Sequence, residues 1–312
     1  MVIRKNSKTG AKSKKPVNKM RVLFILFCIT VPIINWLVFY VYVNFSSFFM
    51  AFTSKDGVIS LDNFIRFFNE FTLPSSELRL ALRNTALTFV IILLTYPLKV
   101  LVSYFLYKKV AGYRFFRIVF FFPSIIFSVA ISMVFIKLVG VNGIIAQGVG
   151  HLAGLDYAPE LLADSRFANL TVILNMLWLS FPGDLIIWGG TFARIPEEVL
   201  ESGKIDGVSW WKEFTRIIVP MVWPTVSLQM VLLFCSFFSS SGNVFLLTNG
   251  QYGTMTLSAW MYITLYENSG NMYTSNVYNY LSAVGLIITV IAVGVSLVIR
   301  RFTDKVFDEV EF

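Results

Sequence analysis

Six stretches of this 312-residue chain are apolar almost without interruption, at roughly 22–43, 85–107, 118–138, 168–192, 221–246 and 278–299. Each has about the 20 residues that a helix needs to cross the hydrocarbon core of a bilayer. Inside that core the backbone must satisfy its own hydrogen bonds, so runs this long and continuous predict membrane-spanning helices. The expected fold class is all-α and polytopic, with six transmembrane helices. Several runs contain proline (Pro32, Pro97, Pro123, Pro182, Pro224), which membrane helices tolerate and which predicts kinks. The first run is too long for a signal-peptide core and lacks a small-residue cleavage site, so a retained anchor is expected.

Composition agrees with the pattern. The chain is 56% hydrophobic and 14% charged, against about 25% charged in soluble domains. Cys28 and Cys235 both lie in apolar runs, which implies no disulfide framework, and the single histidine, His151, excludes a histidine-rich metal site. A net charge of +8 would suggest nucleic acid in a soluble protein. Here eight of the 26 lysines and arginines lie between Arg4 and Arg21, just before the first apolar run. That is the signature of a cytoplasmic tail, and no nucleic-acid partner is expected. The tail before Met20 is either disordered or in contact with anionic lipid.

Charge also sets the expected orientation. With the N-terminus inside, the cytoplasmic pieces are the tail, 108–117, 193–220 and the C-terminus, and they hold 19 of the 26 basic residues. The outer segments hold Lys55, Arg66, Arg79, Arg83, Lys137 and Arg166, while Lys99 lies within a span. Both termini are thus expected in the cytoplasm. The expected organisation is a basic tail over 1–21 and a transmembrane domain over 22–312, with a cytoplasmic loop at 196–220. No GxxxxGK[ST] phosphate loop, HExxH or cysteine cluster occurs. Nothing in the chain predicts a catalytic constellation, a metal or a bound cofactor. Six spans without an energy-coupling motif suit a channel, a secondary carrier or one subunit of a pump.

The 196–220 loop is polar in otherwise apolar surroundings. Pro196 suits a first helical turn, and Glu197 and Glu198 complement a positive helix N-terminus. Gly207 permits a sharp bend. A second helix then places Trp210, Trp211, Phe214, Ile217 and Ile218 near one face, with Lys212, Glu213 and Thr215 opposite, and Pro220 marks the return to the membrane. By itself this is also what an amphipathic connector lying on lipid headgroups looks like.

The spacing goes further. Glu201, Gly207, Ile217 and Pro220 fall in register with Glu-Ala-Ala-x-x-x-Gly, nine residues, then Ile-x-Leu-Pro. The segment thus resembles the EAA loop of permease subunits in bacterial ABC importers, and Asp206 and Phe214 match the version found in carbohydrate importers. Ser202 and Gly203 replace the two alanines, Val208 the next, and Val219 the leucine. Glycine at 203 should weaken the first helix by about 1 kcal/mol. Ser60-Leu61-Asp62-Asn63-Phe64, Asn84-Thr85, Phe115-Phe116-Arg117, Phe122-Pro123-Ser124 and Ile195-Pro196-Glu197-Glu198 also resemble that family. The long segment between spans 1 and 2 is similar to the maltose and glycerol-phosphate type, the first partner of the usual pair.

The resemblance implies a type I importer permease in the bacterial cell membrane. It implies a second homologous permease, an ABC ATPase dimer that binds the ATP, and an extracytoplasmic solute-binding protein. Glu201, Asp206, Gly207, Trp210, Phe214, Ile217 and Pro220 would form the ATPase-coupling element, Glu201 as a polar contact and Gly207 as the bend. The implied mechanism is alternating access driven through that loop. The chain itself would not be an enzyme.

Polar residues within the spans are the candidates for a substrate path. Asp184 and Lys99 sit at similar depth: Lys99 is nine residues before Lys108, about 13 Å, and Asp184 ten before Arg194, about 15 Å. They either pair across the bundle, or Asp184 lines a cavity while Lys99 snorkels. Ser239-Ser240-Ser241-Gly242-Asn243 is unusually polar for a span. Ser240 and Asn243 could meet sugar hydroxyls, with Tyr278, Asn279, Tyr280 and Trp188 contributing; packing through small residues explains the same run. The spans contain no arginine, which favours a neutral sugar or oligosaccharide. Glycerol phosphate, a polyamine or another polar solute, or a secondary carrier, are the alternatives.

Overall fold

The computed structural model describes residues 19–236, 238, 243–267 and 274–305. The chain divides after Met50 into two units. The first is a single helical segment, α1 (Lys19–Asn35) and α2 (Val43–Ala51, its last residue across the boundary), joined by a π-helical stretch at Trp36–Tyr42. None of the segment's most hydrophobic window is buried. Such a helix has no stable state in water and is solvated by lipid or protein.

The second unit is helical, with one isolated β-bridge, Thr53 to Ile59, among the described residues. It contains α3 (Asp62–Thr72), α4 (Glu77–Tyr107), α5 (Tyr113–Ile125), α6 (Ser128–Val139), α7 (Ile144–Leu152), α8 (Ala168–Phe192), α9 (Glu197–Ile205), α10 (Trp210–Glu213), α11 (Val219–Ser236), α12 (Val244–Thr248), α13 (Leu257–Glu267) and α14 (Thr274–Thr303). Among the described residues six segments are long and apolar enough to cross a membrane: Leu23–Ala51, Glu77–Tyr107, Ser128–Leu152, Ala168–Phe192, Trp210–Ser236 and Asn276–Thr303.

Two expected spans are redrawn. The run at 118–138 is divided between α5 and α6, because Ile126 and Phe127 adopt ψ of 138° and 135°. Pro123, in the last turn of α5, cannot donate to the carbonyl one turn back, which weakens the helix there. The fifth span begins at Trp210, not near 221, since the helix runs from α10 through a π-helical turn at Phe214–Ile218 into α11. Pro220 lies inside this continuous helix instead of marking a return. The missing Pro220 N–H and the bulk of its ring are accommodated by the wider turn just before it. The expected outer segment 247–277 contains α13, whose Leu257, Ala259 and Trp260 are buried.

Two polar ties hold α4 against α8. Asn169 donates to the Asn84 side-chain oxygen (3.2 Å), and Lys99 donates to Asp184 (2.7 Å) and Ser180 (2.7 Å). Asn84 and Lys99 are fifteen residues apart, as are Asn169 and Asp184, so the helices run parallel and in register. α11 and α14 are antiparallel: Trp223 Nε1 donates to Thr303 O (2.8 Å) and Ser227 Oγ to Thr303 Oγ1 (2.7 Å), while Cys235 meets Ser296 farther along.

Asn84 is fully buried, and its amide also donates to the carbonyls of Gly253 (2.7 Å) and Met255 (2.9 Å). Next to it, Thr85 Oγ1 accepts from the Leu257 N–H (2.9 Å). These bonds fix the start of α13 on α4. Asn84→Leu strands two carbonyls away from water and should cost about 1–3 kcal/mol, read as a lower thermal midpoint of the purified protein in detergent; an unchanged midpoint would contradict this account.

Candidate functional site

The loop after α8 turns on a glycine. α9 follows Pro196 and ends at Asp206; Gly207 then takes φ +67°, a conformation that a side chain disfavours. The Val208 N–H reaches Gly203 O (3.0 Å) and the Gly207 N–H reaches Lys204 O (3.1 Å), which satisfies the last carbonyls of α9. Gly203 is buried, and a Cβ there would lie 3.3 Å from Ile217 Cδ1. Glycine here allows this close approach of the two arms without any shift of the Ile217 side chain.

The loop is seated on the bundle by an apolar cluster. Leu200 of α9, Phe214 and Ile218 of the π turn and Val222 of α11 pack with Tyr96, Val100 and Tyr104 of α4 and Trp188 and Phe192 of α8. The Tyr104 ring lies 5.1 Å from Phe214 and 6.3 Å from Phe192. Glu213, expected on the polar outer face, is buried and ion-paired with Lys108 at the C-terminal end of α4. A partner that distant in sequence overrides the amphipathic pattern.

Of the proposed coupling residues, Glu201, Asp206, Gly207 and Trp210 are exposed, Ile217 and Pro220 are half-buried, and Phe214 is buried. Four of the seven are thus accessible at the surface, and Phe214 is packed into the bundle. Sequence reasoning missed Ile205, which is 86% exposed at the tip of α9, with Trp210 and Trp211 also half exposed. An apolar side chain closing a polar helix at a bend was the available signal.

Lys99 and Asp184 do pair. Lys99 is 2% exposed and lies 5.6 Å from the Phe181 ring centre, whereas Asp184 keeps 24% of its side chain accessible. The Asp184 carboxylate is thus the open end of the pair. Asn243 is elsewhere, donating to Ser132 Oγ (2.9 Å) and Asn175 Oδ1 (3.4 Å). Tyr278 is exposed on α14. Ser240 lies outside the described residues. Trp188 is 0% exposed and offers no face for stacking. Tyr280 is buried, donating to Glu70 Oε2 (2.6 Å) beneath the Arg66 guanidinium, 3.9 Å from its ring.

Between the two α4–α8 ties lies a small, mainly apolar cavity of about 100 Å³. Thr85, Thr88, Phe89 and Ile92 of α4, Met176 of α8, Leu233 and Ser236 of α11 and Thr256 line it, and Thr256 Oγ1 is buried without a partner among the described residues. This cavity was not foreseen, because its walls come from stretches far apart in the chain.

This is the fold and the exposed, bundle-anchored loop of a transporter's membrane subunit. Residues 88–308 match the family described as binding-protein-dependent transport system inner membrane component, and the chain belongs to that family. It is a multi-pass ABC-importer permease. Similar proteins include the multiple sugar-binding transport system permease protein MsmF of Streptococcus mutans, 26% identical over 89% of this chain and 94% of that one. The maltodextrin transport system permease protein MdxF of Bacillus subtilis is 28% identical over 61% of this chain and 45% of that one. A chain in the crystal structure of a bacterial alginate ABC transporter, in complex with a pentasaccharide-bound periplasmic protein, shares the fold (TM-score 0.77, 19% identity, 93% and 97% coverage).

Breaking the ion pair on one side should be costly. Lys99→Met leaves a carboxylate without its cation and should destabilise by about 3 kcal/mol, measured as loss of folded protein on heating in detergent. Lys99→Met combined with Asp184→Leu should recover most of that loss; no recovery would show that the two charges do not depend on each other.

Proposed function

We propose that this chain is one membrane half of an ATP-driven importer, and that its cargo is a sugar or oligosaccharide handed over by an extracytoplasmic solute-binding protein. The observation that carries the reading is the 196–220 loop: a surface of Glu201, Ile205, Asp206 and Trp210 backed by residues packed into α4 and α8. Such a surface suits a separate ATPase subunit that binds the nucleotide, with Ile205 as the apolar anchor and Glu201 as a polar contact. The positive-inside distribution supports placing this loop and both termini in the cytoplasm. A second homologous permease would complete the pathway, since the helices of one chain leave large apolar faces to cover.

Cargo chemistry follows from the relatives and from the spans. The relatives are named for multiple sugars, maltodextrin and trehalose. No arginine occurs in the expected spans. Spans without arginine suit neutral polyols better than a phosphate. Asp184, Lys99, Asn243 and Ser240 remain candidates for the path, with Asp184 the accessible one, and Tyr278 for the outer approach.

ATP-dependent uptake of labelled neutral oligosaccharides, glycerol phosphate and spermidine into vesicles carrying the whole complex tests the reading. Glu201→Lys should abolish both oligosaccharide uptake and stimulated ATPase activity while the permease stays inserted. Full uptake by that variant removes the proposed contact, uptake of spermidine alone removes the sugar, and ATP-independent uptake by this chain alone makes it a carrier. Gly207→Ala, forced into the left-handed region at about 1–2 kcal/mol, should lower the uptake rate without preventing membrane insertion. A wild-type rate would show that the bend tolerates a side chain.

A further inference from the structure

A second, larger hollow has a different chemistry. Between α3, α4 and α14 lies an apolar groove of about 1000 Å³. Phe68 and Phe71 of α3, Leu82 of α4, and Leu286, Ile287 and Ile291 of α14 are among its walls. Its charged lining consists of Arg79 and Arg83, one helical turn apart on α4. Both arginines are exposed, and neither has an ion pair or hydrogen bond among the described residues. Glu70 of α3 cannot neutralise them, being held by Arg66 (2.8 Å) and by the Tyr280 hydroxyl (2.6 Å).

Depth in the bilayer gives this arrangement its meaning. α4 has 31 residues, about 46 Å of helix, against about 30 Å of hydrocarbon. Its first turns, with Arg79 and Arg83, therefore stand at headgroup level. α3 has the pattern of a helix lying in the same layer: Asp62, Arg66 and Glu70 follow one stripe, and Phe64, Phe67, Phe68 and Phe71 form the apolar one. From the arginines the groove runs along α14 into the hydrocarbon.

We propose that the groove binds one anionic glycerophospholipid, of the phosphatidylglycerol type, as a resident ligand. The phosphate sits between Arg79 and Arg83, which can each offer several N–H donors to it. The acyl chains lie against Phe68, Phe71 and the Leu286–Ile291 stretch. An apolar helix of another subunit would fill the groove but leave both cations unanswered, and a free phosphate would leave the aromatic floor uncovered. A lipid with a net negative headgroup satisfies both halves at once.

The test uses the assembled transporter in nanodiscs of mixed phosphatidylglycerol and phosphatidylcholine, followed by detergent extraction and native mass spectrometry. Wild type should retain phosphatidylglycerol in preference to phosphatidylcholine, and R79Q/R83Q should retain about tenfold less of it. As a second readout, Leu286→Trp places a fluorophore in the groove. Its emission, measured as the difference from the parent, should be quenched more by brominated phosphatidylglycerol than by brominated phosphatidylcholine. Equal retention of the two lipids, equal quenching by them, or loss of a partner subunit from R79Q/R83Q would overturn the proposal, the last by making the groove a protein interface.

Discussion

A polar side chain inside hydrocarbon has no water to fall back on, so it must find its partner within the protein. In this chain that constraint selects the α4–α8 pairing. Asn84 and Lys99 on one helix each need a counterpart on the other, and only the parallel, in-register arrangement supplies Asn169 to the first and Asp184 to the second. A shift by one turn would part the buried lysine from the Asp184 carboxylate, at a cost far above that of a lost apolar contact. The pair thus sets the register from which the other helices take theirs: α13 through the Asn84 and Thr85 bonds, α11 through the aromatic contact of Phe89 with Phe234.

The same pair carries the loop. Phe214 and Ile218 are buried among side chains of α4 and α8, and Glu213 is tied to Lys108 at the end of α4. A force on the exposed surface of α9 is therefore delivered to these two helices through packed side chains and an ion pair. On the proposed function, this is the mechanical link between nucleotide and cargo. It follows from packing and needs no long-range conformational signal.

Much of this was legible in the sequence because the bilayer imposes simple rules. The second, fourth and sixth spans are continuous apolar runs, and length alone locates them. The depth of Lys99 and Asp184 could be counted from flanking charges, and the counting led to the pair. The third and fifth spans were misdrawn where proline acted locally: Pro123 weakens a helix that ends at Ile125, whereas Pro220 is absorbed by a wider turn. Propensity does not distinguish these outcomes, which depend on tertiary neighbours. The burial of Glu213, the fit of Gly203 against Ile217 and the burial of Trp188 each depend on a residue distant in sequence. The small cavity was invisible for the same reason, its lining residues being far apart in sequence until α4, α8 and α11 bring them together.

The ties also limit where an opening can occur. α4 is joined to α8 by polar bonds at two depths, the loop helix is continuous with α11 and packed on α4, and α11 is bonded to α14 near Thr303. Changing the access of the cavity between these helices by separating them would break several buried polar bonds at once, each costly in hydrocarbon. Moving the bonded helices together breaks none of them. If the chain is half of a transport pathway, the low-cost motion is a rotation of this second unit as one body against the other half, and the cargo should pass along the face between halves with Asp184 accessible to it.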